Sequence, residues 1–117
     1  MIHVLVVGPR ELENLSARSS SVEVLHAGTS DEAVEKLARN RRVDAVLLLL
    51  GEDNEAVARA VQEDVVPPPP LFTGAADPAA LGVRRLASRD PVEMLDLLRA
   101  ALEAGRAEAP PGGSVVS

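Results

Sequence analysis

The chain of 117 residues contains no cysteine, no tryptophan and no tyrosine, and its single phenylalanine is Phe72. Without cysteine there is no disulfide, no thiolate nucleophile and no zinc site built on sulfur. Without tryptophan and tyrosine there is no aromatic platform on which nucleobases could stack. The formal net charge of −6 and a pI near 4.8 also withhold the basic footprint that a phosphate backbone needs. Nucleic acid is therefore not an expected partner. Long hydrophobic runs are missing too: the longest, Val43 to Leu50, includes Asp44 and falls far short of a bilayer's thickness. The opening residues, Met-Ile-His-Val-Leu-Val-Val-Gly, have neither a charged leader nor a small-residue cleavage site, so no signal peptide is expected. The expectation is a cytoplasmic protein that does not engage membranes. His3 and His26 have no partner histidine at ligand spacing, which leaves no expected metal site and no expected cofactor.

What is present is small and aliphatic. Hydrophobic residues make up 46% of the chain, and Val, Leu and Ala must fill the core. Such side chains pack well between helices and a parallel sheet. Two apolar runs, Ile2 to Val7 and Val43 to Leu50, are continuous rather than alternating, as a strand requires when helices cover both its faces. Each is followed by a glycine, Gly8 or Gly51, suited to a tight strand-to-helix turn. Val22 to His26 reads as a weaker strand with Glu23 in it, appropriate to a sheet edge.

Helix signals alternate with these strands. Thr29 with Glu32 three residues on forms a capping box, and Ala33, Val34, Leu37 and Ala38 supply one apolar stripe behind it. Asp53 or Asn54 is expected to cap a helix through Val57 and Val61. Pro67 to Pro70 then forces an extended, non-donating stretch and delays the next strand to Leu71-Phe72-Thr73. Asp77-Pro78 can start only a short helix before Gly82, and Val83 to Ala87 reads as a second edge strand. Asp90-Pro91-Val92-Glu93 opens the last helix, whose buried face is Val92, Leu95, Leu98, Ala101 and Leu102 and whose expected stop is Gly105. The domain is thus expected over residues 1–105, with 106–117 a flexible Pro/Gly/Ser-rich tail or linker stub. Strands alternating with helices imply an α/β, doubly wound, five-stranded parallel sheet. With the apolar first and third strands central, the order is 2-1-3-4-5.

In the order and spacing of these stretches the chain resembles the receiver domain of two-component response regulators, over residues 2–104. The matching segments are His3 to Val7, Glu32 to Leu37, Val43 to Leu48, Leu71 to Gly74, Gly82-Val83 and the last helix. The first, third and fourth helical segments are shorter than that family's. The resemblance implies a phosphoryl group accepted by an aspartate after the third strand, with an acidic pair after the first strand helping to hold Mg²⁺. It further implies a hydroxyl at the end of the fourth strand and a lysine after the fifth. Carried over one by one, the acidic pair falls on Gly8 and Pro9, the acceptor on Leu49 and the lysine near Arg89, while the hydroxyl is kept as Thr73. Mg²⁺ is a hard cation that binds carboxylate oxygens, and a leucine is no nucleophile, so the phosphorylation chemistry has no basis and no enzyme is expected.

The resemblance therefore implies a pseudo-receiver: a phosphorylation-independent protein–protein interaction module in bacterial signal transduction or localisation. Its expected partners are proteins, including other signalling components, and a homodimer is compatible with the family. The candidate partner surface is the fourth helix, fifth strand and fifth helix, where Arg84 and Arg85 place positive charge on an acidic chain. The same pair also suits the blocking of edge-to-edge aggregation. The alternative is a small-molecule, nucleotide or anion site in the crevice at the carboxyl ends of the strands, using Arg10, Thr73 and Arg89. Those residues equally serve as ordinary turn and cap chemistry, as do Glu52 and Asp53 at a helix start.

Overall fold

The computed structural model describes residues 2–18, 20–40, 42–75 and 82–108. Five parallel strands lie in the order β2-β1-β3-β4-β5. They are β1 Ile2–Val7, β2 Val22–Ala27, β3 Ala45–Leu48, β4 Leu71–Thr73 and β5 Val83–Arg85. The three α-helices are α1 Ser30–Arg39, α2 Asn54–Asp64 and α3 Pro91–Glu108. The expected doubly wound topology is the observed one.

Both central strands are buried on both faces, which is why their sequences are continuously apolar. Val4, Val6, Ala45, Leu47 and Phe72 face α3, which contributes Met94, Leu95 and Leu98 to the same core. Leu5, Val7, Val46, Leu48 and Leu71 face the opposite way and pack with Ala33 and Leu37 of α1 and Val57, Ala58 and Val61 of α2. Each such leucine or valine contributes about 1.5–3 kcal/mol by leaving water. The period of two along the strands, set against the helical period of the covering layers, is what divides the core in two.

No α-helix forms between β1 and β2. Leu12 and Leu15 are the only large apolar residues from Gly8 to Ser21, too few for a helical stripe. The segment makes a single 3-10 turn, Arg10–Leu12, and lays Leu12, Leu15 and Ala17 against the α3-side core. The short helix expected from Asp77-Pro78 falls largely on residues 76–81, outside the described residues.

The helix starts partly follow the expected chemistry. The Thr29 hydroxyl accepts from the Glu32 N–H at 3.1 Å, as a capping box requires, but the Glu32 carboxylate accepts from Gly28 N–H at 2.6 Å rather than from Thr29. Asp90 accepts from the Val92 N–H at 3.3 Å. Neither Asp53 nor Asn54 caps α2 through its side chain. A 3-10 turn, Gly51–Asp53, runs straight into the helix, and the Asn54 side chain is turned inward. Gly105 does not stop α3, which continues to Glu108. A glycine inside a helix costs only about 1 kcal/mol and ends one by adopting a left-handed conformation, which this one does not need. Residues 106–108 of the expected tail are therefore helical, and 109–117 lie outside the described residues.

Candidate functional site: the carboxyl rim of the sheet

Loops leaving parallel strands converge at their carboxyl ends, where a doubly wound sheet usually binds its ligands. Here that rim is packed where β1 meets β3. A Cβ on Gly8 would stand 2.9 Å from Leu12 Cδ1 and 3.3 Å from Leu49 Cβ, so Leu12 and Leu49 close directly over the glycine. Leu49 is held in place by its N–H, which donates to the Val7 carbonyl at 2.7 Å. Pro9 follows, exposed, with no carboxylate to offer. His26 Nε2 lies 3.0 Å from the Gly8 oxygen and 3.1 Å from the Pro9 oxygen. Both partners only accept, so Nε2 carries a proton and ties the β1 turn to β2.

Thr73 is fully buried, and its hydroxyl is engaged on both sides. It donates to the Leu48 carbonyl at 2.9 Å and accepts from Asn54 Nδ2 at 3.1 Å. The Asn54 carbonyl oxygen in turn accepts from the Leu50 N–H at 2.8 Å. One buried amide thus joins the end of β3, the start of α2 and the end of β4. Asn54 was not among the expected site residues. The signal was there: positions 54, 57, 58 and 61 share one helical face, and its other members are Val57, Ala58 and Val61.

Gly74 is buried under Met94; a Cβ there would stand 2.3 Å from the Met94 methyl and 3.4 Å from the Ser88 carbonyl. Arg89 is exposed one residue beyond the buried Ser88. Arg10 is also exposed, and it borders an open hollow of about 670 Å³ beside β2, together with Glu13, His26, Glu32 and Lys36. Neither Thr73 nor Arg89 lines that hollow. The candidate anion residues therefore have separate surroundings: Arg10 beside β2, Thr73 inside the core, Arg89 on the loop before α3.

Arg84 and Arg85 are both exposed on β5. As neighbours on a strand they point to opposite faces of the sheet. Arg84 is registered with Phe72, and its guanidinium lies 5.9 Å from the ring centroid, on the α3 side. Arg85 is registered with Thr73, on the α2 side. The two arginines do not make one patch.

Two further hollows open at the other, amino rim. One of about 530 Å³ is lined by His3, Glu23, Leu25, Arg39 and Arg42 among others. There His3 Nε2 is 3.2 Å from Glu23 Oε2, and the Asp44 carboxylate accepts from the His3 backbone N–H at 2.8 Å. The second, of about 390 Å³, lies between the end of α1 and the segment Val65 to Pro69. Among the described residues no group of three or more His, Asp or Glu side chains is placed to share a metal ion. No helix among them is long and apolar enough to cross a membrane. Compared with family models, curated proteins and solved structures, the chain gives no significant match, so the doubly wound fold rests on its own geometry.

Proposed function

We propose that the chain is a pseudo-receiver: a phosphorylation-independent protein-interaction module of bacterial, cytoplasmic signalling. The observation that carries this reading is the packing around Gly8. Where a receiver needs carboxylates, this chain has Gly8, Pro9 and Leu49, with Leu12 folded over the glycine. Apolar contact replaces the oxygen cage that would hold Mg²⁺. The Thr73 hydroxyl, which a receiver would turn to the phosphoryl group, is spent on Leu48 and Asn54. A domain built this way has no phosphoryl-driven change of state, so its binding is constitutive. The partner surface is the exposed side of β5 and α3, where Arg84 sets association rate and partner choice. The other reading, a nucleotide or anion held by Arg10, Thr73 and Arg89, draws less support, because Thr73 is buried and Arg10 faces the β2 side.

The test has two arms. Incubation with acetyl phosphate and Mg²⁺ should leave the intact mass unchanged and the melting temperature unmoved. A labile phosphoryl adduct would overturn the proposal. Capture of a native partner should then weaken with Arg84→Glu and Arg85→Glu together while the fold persists, whereas Arg10→Ala should leave it as it was. The reverse pattern would favour the ligand pocket.

A further inference from the structure

The segment from Val65 to Pro70 joins α2 to β4 and differs from every other loop described. Val66 is 84% exposed, the one large hydrophobic so exposed among the described residues. Pro67, Pro68 and Pro70 beside it are exposed as well, and Pro69 is half-buried against the 390 Å³ hollow. The run is pinned at both ends: the Val65 N–H donates to the Val61 carbonyl at 2.9 Å, and the Pro70 carbonyl accepts from the Val46 N–H at 3.0 Å.

Four consecutive prolines have no N–H, so this stretch presents apolar rings and carbonyl acceptors only. Its φ angles are restricted by the rings and its ends are tied to secondary structure, so little ordering entropy is lost when something binds it. The complementary surface carries flat apolar walls with donors at their rims, which is what tryptophan and tyrosine provide. Grooves lined in that way recognise proline-rich segments. A second copy of this chain cannot supply such a groove: it has no tryptophan or tyrosine, and Phe72 is buried. The occupant is therefore a different protein. Exposed Glu63 and Asp64 directly precede the run and fit a groove with basic flanks.

We propose that residues 66–70 are a docking segment for the aromatic-lined, basic-flanked groove of a separate proline-recognition protein. This face is the amino rim, and the proposal stands whether or not the pseudo-receiver reading does. The probes are purified WW, SH3 and EVH1 domains, each titrated with the full chain while the tryptophan fluorescence of the probe's groove is followed. This chain contributes no tryptophan signal of its own. At least one probe should show a saturable change. Val66→Asp combined with Pro68→Glu should weaken that binding more than about tenfold, equivalent to about 1.4 kcal/mol. Arg84→Glu should leave it unaltered. No saturable change with any probe, or binding indifferent to the double variant, would overturn the proposal. If the double variant melts early, Pro68→Ala decides by the same comparison, since it adds no charge.

Discussion

At the carboxyl ends of β1 and β3, Leu12 and Leu49 lie on Gly8 and the Asn54 amide spans from Leu50 to Thr73. At the amino ends of the same strands, His3, Glu23 and Arg42 stand around open space, and the four prolines project beside a second hollow. One sheet thus carries a carboxyl rim sealed between β1 and β3, with a hollow beside β2, and an open amino rim. The difference comes from loop composition. Gly8 admits a leucine where a side chain of its own would collide, and a buried asparagine consumes the polar groups that a ligand would otherwise meet. The amino rim receives the polar end of α1 and a proline run with no N–H to satisfy, so nothing draws it shut. In doubly wound domains ligands are expected at the carboxyl rim. This molecule has packed that rim shut where β1 meets β3, and its hollows lie beside β2 and at the opposite end.

The comparison breaks most directly at Asn54. Asn54→Ala leaves the part-buried Leu50 N–H without its acceptor and removes a donor from the fully buried Thr73 hydroxyl. Stranded buried polar groups cost about 1–3 kcal/mol each, so the expected loss is about 2 kcal/mol or more in urea unfolding. A change within error would mean that the buried amide does not hold the rim together. Leu12→Ala should come next. Leu12 is half-buried, so its truncation should cost less than the 2–5 kcal/mol of a fully buried leucine, about 1 kcal/mol. It should also uncover Gly8, read as faster amide exchange at Gly8 and Leu49. Unchanged exchange there would show that Leu12 is not the seal.

The sheet order was legible because burial on both faces leaves an unmistakable mark: Ile2–Val7 and Ala45–Leu48 have almost no room for polar residues. The absence of carboxylates at Gly8, Pro9 and Leu49 was legible too, since it is a matter of residue identity alone. The closing of the rim was not. It depends on Leu12 folding back across a turn with no helical period, and on Asn54 facing the core instead of capping. The separation of Arg84 from Arg85, by contrast, follows from strand alternation alone. The amino-rim hollows lie beyond sequence reading altogether, because Glu23, Arg39 and Val43 meet only after β2 and α1 have packed.

The smallest expected effect sharpens the same contrast from the open side. Arg42 is exposed at the mouth of the larger amino-rim hollow, and no ion pair holds it among the described residues. Arg42→Ala should therefore change stability by no more than about 0.5 kcal/mol, the range of an ordinary surface substitution. Glu23→Gln should behave similarly, because its contact with His3 is made by a carboxylate more than half exposed, where water screens the attraction. If either variant costs as much as Leu12→Ala, the amino rim is held together by its charges, and its hollow is a by-product of packing. If both are silent, the residues around the hollow are free of structural duty, and the open rim is available for binding.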